Sequence, residues 1–489
     1  MAPLVRKIAY NVIFNSFLKV LSTVALSLFS IRLITGYLGQ DGFGEYSTVL
    51  AFFAFFSALA DLGLSSVTVR EISREGADER NILSKVLSLR LTSSLVVFLL
   101  SPLLILLFNY SRDLKIGIFI AAGAIFFSTL SLMLNGIFQK RLAMDKVALV
   151  EFLGKLFQVG IVVLAVREDW GFLAIVSTLL ASLSFNALIV LFLSRRYVRF
   201  APNIDFAYWK TFLRESLPMG ATAIITFAYF KLDTIILSVL QPSAHVGIYS
   251  VAYKIMENLI FFPAMLAGLI LPLLSRFIFT NRGRFEEIAD KTFKVFFIII
   301  APIIAGTLFL APDIIRIVSG GGFQESVLVL RILIFALGFI FFGHFFNMLL
   351  IVGNAQRKLM QALMIAAAFN ILLNAFLITR YSYIGAAAAS VATEVLVVGL
   401  TAFLVRKHIR YVPSFKRIGR VFVSGVMMGG VLFILEPYSF FIAGTLSVVT
   451  YLGMLWLTKA ISPGEIASLF QKESGMPLSE VERMETMVP

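Results

Sequence analysis

The sequence predicts an all-α, polytopic membrane protein with about fourteen transmembrane helices. Hydrophobic residues make up 59% of the 489 residues and charged residues only 14%, and the mean hydropathy is +0.93. Such a composition is typical of membrane proteins. Apolar runs of about 18 to 25 residues recur along the chain, which is the length that a helix needs to cross a bilayer. The residue alternation of an outer-membrane barrel does not occur.

Fourteen apolar segments are predicted to span the membrane. They lie near residues 10–36, 44–67, 86–108, 116–138, 147–166, 171–193, 217–240, 246–275, 294–312, 326–352, 359–379, 384–405, 418–435 and 439–458. Arg6 and Lys7 precede the first segment, which lacks a small-residue cleavage site and is expected to remain as a span. Residues 459–489 are predicted to form a polar cytoplasmic tail.

The distribution of lysine and arginine supports this count. With the loops numbered alternately from an inside N-terminus, 31 of the 42 basic residues fall inside and five fall outside. A missed helix would invert every later loop and remove this segregation. We therefore predict a plasma-membrane protein with both termini in the cytoplasm.

The charge and the absence of cysteine exclude other classes of protein. The net charge is +14, but the basic residues lie in short loops and not on one soluble face, so nucleic acid is not an expected partner. Without cysteine there is no disulfide framework and no thiolate metal site, and no cofactor is expected. The loop 194–216 is either an amphipathic segment on the anionic inner leaflet or a plain basic loop.

Two short sequence similarities indicate an internal repeat. Gly44-Glu45-Tyr46-Ser47 opens the second span, and Gly247-Ile248-Tyr249-Ser250 opens the eighth. The predicted domains are an N-lobe of helices 1–6 (1–204), a C-lobe of helices 7–12 (205–410) in parallel pseudo-repeat, and two additional helices (411–458). Transporters of this plan bind their substrate between the halves.

Basic residues inside the spans are candidates for binding an anionic substrate. Lys19 lies on a polar stripe of the first span together with Asn15, and Lys231 and Lys254 lie well inside spans 7 and 8. Charges at this depth are costly and usually have a function. Alternatively, each lysine extends toward the headgroups or pairs with a carboxylate, as Lys254 and Glu257 would at a spacing of three.

Four acidic residues inside the spans are candidates for ion coupling, namely Asp61, Asp233, Glu257 and Glu394. A carboxylate at this depth can exchange a proton or bind Na⁺ during transport, so H⁺ or Na⁺ is the expected coupling ion. Ordinary helix–helix hydrogen bonding is the alternative. Glu151 and Lys155, four residues apart in the fifth span, are expected to pair structurally.

Several motifs occur in the order found in one family. The matching stretches are Gly36-Tyr37-Leu38-Gly39 through Gly44-Glu45-Tyr46, Ala60-Asp61-Leu62-Gly63-Leu64, Phe230-Lys231-Leu232-Asp233-Thr234, Val246 through Lys254, Leu271-Pro272, Gly321-Gly322-Phe323, Gly353-Asn354 and Gly385-Ala386-Ala387. In these the chain resembles the polysaccharide or oligosaccharide flippases of the multidrug/oligosaccharidyl-lipid/polysaccharide exporter superfamily.

The resemblance implies two six-helix lobes that export lipid-linked oligosaccharide on a polyprenyl pyrophosphate carrier by alternating access. It also implies a cationic lumen, to which Lys19, Lys231 and Lys254 would contribute, with Asn15 and Tyr253 as further substrate contacts. A polysaccharide polymerase or glycosyltransferases are expected partners. The alternatives are a multidrug antiporter of the same superfamily, a lipid II flippase and a membrane-embedded glycosyltransferase or polymerase. Because the outside loops are too short for a catalytic face, we expect a transporter and not an enzyme.

Overall fold

A computed structural model describes residues 25–416, 418–435 and 439–460, and every regular element in them is helical. The predicted all-α polytopic fold is confirmed. The helices are α1 (Ser27–Asp61), α2 (Leu64–Ser73), α3 (Glu79–Leu106), α4 (Arg112–Lys140), α5 (Met144–Arg167), α6 (Phe172–Ser194), α7 (Phe206–Leu240), α8 (Ser243–Leu259), α9 (Phe261–Phe277), α10 (Arg282–Ser319), α11 (Ser326–Val352), α12 (Gln356–Leu404), α13 (Ile418–Ile434) and α14 (Phe440–Leu457). A short π-helical turn, Val405–Ile409, follows α12.

Eleven helical segments of the described residues are long and apolar enough to cross a membrane, and α13 is a shorter apolar helix. Two of the eleven contain a sharp break. The backbone leaves the helical region at Gly39 in α1 and at Ser382 in α12, both with positive φ. With these breaks as boundaries, the eleven segments divide into thirteen straight parts, of which the first described one, residues 27–38, is too short to cross a membrane by itself.

The break at Ser382 reverses the direction of the chain. In a continuous helix, residues 377 and 385 would be about 12 Å apart along the axis. Instead, a Cβ on Gly385 would overlap the carbonyl oxygen of Leu377. α12 is therefore a helical hairpin, and the small residue at 385 permits its close packing.

Several helices begin at a side chain that satisfies their first free N–H groups. Asp78, Ser111, Asp205 and Asn281 accept backbone hydrogen bonds at the starts of α3, α4, α7 and α10. Such N-caps are the common solution for unpaired N–H groups at a helix start. Because these polar residues separate the apolar runs, the positions of the turns can be predicted from the sequence.

The described residues form two compact units. The first unit includes residues up to 288 and 311–412, and the second includes residues 289–310 and those after 412. In the second unit, Val421 and Met428 of α13 pack with Tyr451 of α14 and with residues 297–310 of α10. The lobe boundaries expected from the sequence remain a prediction.

Within the first unit, hydrogen bonds between turns define two sides. On the side that we call the basic side, Lys85 pairs with Asp205, and Glu79 pairs with Lys140 and Arg141. A buried apolar cluster below these pairs includes Leu64, Val86, Met133 and Phe212.

On the other side, which we call the far side, Tyr37 donates to Asp169 at 2.5 Å and accepts from the backbone of Gly171. The Gln241 side chain donates to the carbonyl of Ile378 there.

Helices α1 and α2 contact later parts of the first unit on both sides. On the far side, Thr35 donates to the carbonyl of Ser319 at 2.9 Å, and Gln40 donates to that of Gly322 at 2.6 Å. On the basic side, Arg70 pairs with Glu215. An added Cβ on Gly63 there would overlap the backbone of Gly220 and Ser216.

Candidate functional site

Lys231, Glu257 and Lys254 form one ion-paired group, which we call the lysine cluster. Lys231 on α7 contacts one Glu257 oxygen at 2.5 Å, and Lys254 contacts the other at 2.8 Å. Between 22% and 34% of each side chain remains accessible, so a ligand could reach the cluster. Lys254 and Glu257 form the pair that was the alternative to a substrate role, and Lys231, on another helix, also joins it.

A third lysine extends the positive charge. Lys155 on α5 donates to Gln158 at 3.0 Å and lies close enough to Lys254 for electrostatic repulsion. From the sequence, only a structural pairing with Glu151 was expected of Lys155, because that spacing is local whereas its neighbour Lys254 is distant in sequence. Among the described residues, two lysines therefore share the Glu257 carboxylate, and a third lies beside one of them.

Tyr253 packs against Lys231 of the lysine cluster. Its ring lies 5.0 Å from the Lys231 ammonium, and its hydroxyl donates to the backbone oxygen of Phe230. Because Tyr253 is buried, this arrangement indicates that it positions Lys231. Lys19 and Asn15 lie outside the described residues.

A second group, which we call the acidic pocket, contains Asp233 and Glu394. Both carboxylates are buried, with 4% and 6% of their surface exposed. Asp233 accepts hydrogen bonds from the Tyr249 hydroxyl and the Thr234 backbone. Glu394 lies within hydrogen-bonding reach of the Tyr229 hydroxyl. Neither carboxylate forms an ion pair with any residue that the structure describes.

Two cavities adjoin the acidic pocket. One, of about 200 Å³, is lined by Glu394, Tyr229, His344 and Asn347 among others. The other, of about 20 Å³, lies between Glu394 and Asp233, with oxygens and amides of Asn370, Ser390 and Thr393 nearby. A space of this second size can hold one water molecule. Asn370 donates to the Thr393 hydroxyl at 3.0 Å.

The two groups are adjacent. Tyr253 lines the small cavity beside Asp233 and Glu394, and its ring lies 5.0 Å from the Lys231 ammonium. Tyr253 therefore connects the acidic pocket with the lysine cluster. Among the described residues, no group of three His, Asp or Glu side chains is suited to holding a metal ion.

Asp61, the fourth acidic candidate, lies elsewhere and has a fixed partner. Arg90 of α3 contacts it at 3.0 Å and also donates to Ser65 and to the Thr129 carbonyl. Arg90 is only 1% exposed. Arg90 is one of the 31 basic residues that the sequence count assigned to the inner side, and the structure places it within α3, buried, with its charge balanced by Asp61.

The chain matches one known protein family over more than half of its length. A family model described as "Polysaccharide biosynthesis protein" matches residues 4–278, more than half of the chain. The chain belongs to the polysaccharide biosynthesis protein family. The match includes α7, α8 and the whole lysine cluster, and it agrees with the resemblance noted in the sequence motifs.

Two relatives come from Haloferax volcanii. The probable low-salt glycan biosynthesis flippase Agl15 is 23% identical over 416 residues, which cover 83% of this chain and 86% of the relative. The probable flippase AglR is 27% identical over 229 residues, covering 43% and 45% of the two chains.

Solved structures show the same fold at lower identity. The lipid II flippase MurJ in an inward closed conformation superposes with a TM-score of 0.78 at 17% identity, covering 91% of this chain and 98% of MurJ. An inward-facing MATE family multidrug transporter gives a TM-score of 0.64 at 14% identity, covering 79% and 94%. The compared proteins are flippases and transporters, in agreement with the sequence prediction that the chain is a transporter and not an enzyme.

Proposed function

We propose that the protein flips a lipid-linked oligosaccharide on a polyprenyl pyrophosphate carrier across the plasma membrane, for cell-surface polysaccharide synthesis. The observation that carries this proposal is the lysine cluster, in which Lys231 and Lys254 share the single carboxylate of Glu257 with Lys155 nearby. Two lysines that share one carboxylate leave an excess of positive charge at this point. A pyrophosphate group provides the charge that this region lacks.

In this mechanism, Glu257 occupies the place of the anionic substrate when the site is empty. Each carboxylate oxygen neutralises one lysine, much as two phosphate oxygens would. When pyrophosphate binds the lysines, Glu257 loses both partners and becomes a half-buried, unpaired carboxylate, which is costly unless it takes up a cation. Substrate binding and cation uptake are thereby coupled at Glu257. Lys19, with Asn15, would complete the cationic surface from the first span.

The acidic pocket supplies a second place for the coupling ion. Because neither Asp233 nor Glu394 has a cationic partner among the described residues, each is favoured as a protonated acid or as a ligand of a bound cation such as Na⁺. The neighbouring 20 Å³ space is large enough for a small ion surrounded by carboxylate, hydroxyl and amide oxygens. Its occupancy would act on the lysine cluster through Tyr253.

Alternating access would open the two contact zones in turn. Arg70–Glu215 and the Gly63–Gly220 crossing close the basic side, whereas Thr35–Ser319 closes the far side. Breaking one exposed ion pair and a small backbone contact costs little. We assign the basic side and both termini to the cytoplasm, following the positive-inside rule. Enzymes that build or polymerise the glycan would be functional partners.

A leaflet-flipping assay in proteoliposomes tests this function. The probe is a fluorescent polyprenyl-pyrophosphate oligosaccharide, and lipid II is assayed in parallel to test the lipid II alternative. We expect Lys231→Ala and Lys254→Ala to reduce flipping at least about tenfold, whereas Lys231→Arg retains part of it because the charge remains. The matched control is Lys358→Ala, which removes an exposed lysine outside the cluster.

The assay also distinguishes the multidrug alternative. Wild-type protein that flips neither lipid but exchanges a cationic drug for protons would contradict the proposal. Equal flipping by wild type and by both alanine variants would contradict the assigned role of the lysine cluster.

A further inference from the structure

A surface pocket on the basic side lies apart from the candidate site. It is about 750 Å³ in volume, and its polar wall consists of Arg195, Arg196 and Arg199, which follow the end of α6. Leu87 of α3 and Phe192 of α6 form part of its apolar wall. None of these residues belongs to the lysine cluster or the acidic pocket, so its function is a separate question.

The pocket is built by fixed structure. The backbone N–H of Asn203 donates to the Ser84 carbonyl at 3.1 Å, and the Ser88 hydroxyl donates to the Asn203 carbonyl. Both contacts hold the 195–205 segment against α3. Asp205 then starts α7 and pairs with Lys85 at 2.8 Å, and the hydrogen bond from Lys85 lowers the pKa of Asp205.

Inward packing of apolar residues turns the arginines outward. Tyr197, Val198 and Phe200 pack against the buried cluster of the first unit. Arg195, Arg196 and Arg199, which alternate with them in sequence, are exposed. Three guanidinium groups therefore share one pocket because the side chains between them anchor the turn.

The arginines have no acidic partner among the residues that the structure describes. Asp205, which ends this segment, pairs with Lys85, and Glu79 pairs with Lys140 and Arg141. Lys146, which contacts the ring and the hydroxyl of Tyr197, adds positive charge to the same turn. Such a concentration of unbalanced charge favours an anion that can accept several hydrogen bonds.

The apolar wall indicates what kind of anion fits. Phe192 is 63% exposed, and Leu188, one turn earlier on α6, is 61% exposed. They extend the pocket along an apolar helix face of a membrane-spanning segment. A free phosphate would use only the arginines, whereas a lipid would use the arginines for its headgroup and this face for its acyl chains.

We propose that this arginine pocket binds an anionic phospholipid of the inner leaflet, with the phosphate on Arg195, Arg196 and Arg199 and an acyl chain along Phe192 and Leu188. Guanidinium groups suit a phosphate because they donate two parallel hydrogen bonds. The bound lipid balances the charge of the turn and fixes the ends of α3 and α6 at the membrane surface.

Native mass spectrometry of the full chain released from detergent micelles tests this proposal. Dioleoyl-phosphatidylglycerol is the probe, and dioleoyl-phosphatidylcholine is the zwitterionic comparison. For R195Q/R196Q/R199Q we expect at least about tenfold weaker phosphatidylglycerol binding, because each basic residue near anionic lipid contributes to binding. A triple Arg→Lys variant should bind at an intermediate level, since it keeps the charge but loses the paired hydrogen bonds.

The control removes the same charge elsewhere on the chain. R357Q/K358Q/R406Q changes three exposed basic residues that do not line the arginine pocket. We expect its phosphatidylglycerol binding to equal that of wild type. Unchanged binding by the Gln variant, or equal losses in both Gln variants, would overturn the proposal. Displacement of the lipid by millimolar inorganic phosphate would overturn the lipid assignment in favour of a phosphate site. If the triple Gln variant misfolds, the triple Arg→Lys variant still tests the proposal.

Discussion

The backbone of Gly44 packs directly against the backbone of Gly247, where α1 crosses α8. A Cβ on Gly44 would overlap the carbonyl oxygen of Ser243, and a Cβ on Gly247 would overlap that of Gln40. Each glycine thus lies against the carbonyl group of the residue four positions before the other glycine. This reciprocity is what a two-fold relation between two equivalent segments produces. The two glycines begin the repeated Gly-x-Tyr-Ser sequences, so the similarity in sequence corresponds to a contact between its copies.

Substituting either glycine should destabilise this contact. For Gly44→Ala we expect a loss of about 1–3 kcal/mol in unfolding free energy, because the added methyl has no room and the obstacle is backbone. Gly160→Ala in α5 is the control, since a Cβ there meets no atom within 4 Å. That change should be neutral or stabilising by up to about 1 kcal/mol. Thermal unfolding in detergent, followed by intrinsic fluorescence, measures both, and equal unfolding temperatures would contradict the close crossing.

Asp61 and Arg90 should depend on each other for stability. Removing one partner in Arg90→Met or Asp61→Asn leaves a buried charge without its counter-ion, and we expect each to cost about 3–5 kcal/mol. The double variant Asp61→Asn/Arg90→Met should cost clearly less than the sum. A double-mutant cycle on thermal or denaturant unfolding measures this, and additive losses would show that the pair is not coupled. Asp61 can take part in ion coupling only if Arg90 releases it.

The sequence predicted the local features of this protein better than the contacts between helices. Hydropathy located the spans because a membrane-crossing helix must be apolar over a fixed length. The Lys254–Glu257 pair could also be inferred from the sequence, because a spacing of three residues brings two side chains onto one helix face. The pairing of Glu257 with Lys231 on α7 could not be inferred, since it depends on how two helices are rotated and aligned against each other.

Arg90 and Tyr249 show the same limit. Arg90 lies near the start of an apolar segment, where loop and helix are hard to separate by composition, and only its pairing with Asp61 across helices reveals its burial. Tyr249 belongs to the repeated motif, yet nothing local indicates that its hydroxyl reaches Asp233. Partner choice across helices is set by tertiary packing, which a single sequence does not display.

Replacing Glu257 should make the empty site sensitive to anions. In Glu257→Gln, Lys231 and Lys254 lose their shared carboxylate, so the ligand-free protein becomes less stable and gains more from a bound anion. We expect inorganic pyrophosphate to raise the unfolding temperature of Glu257→Gln more than that of wild type. Glu286→Gln, which alters an exposed ion pair with Arg282 on the basic side, is the control and should respond like wild type. An equal response of all three proteins to pyrophosphate would contradict the exchange of Glu257 for substrate.

Glu394→Gln should separate ion coupling from folding. Glutamine has the shape of glutamate and can still hydrogen-bond to Tyr229, and a buried neutral amide costs less than a buried carboxylate without a cation. The variant is therefore expected to unfold within about 1 kcal/mol of wild type or to be more stable. Because the amide cannot exchange a proton, flipping in proteoliposomes should lose its dependence on a pH or Na⁺ gradient. Glu168→Gln, an exposed carboxylate after α5, should keep that dependence. Gradient-dependent flipping by Glu394→Gln at the wild-type level would remove Glu394 from the coupling mechanism and leave Asp233 and Glu257 as the groups to test.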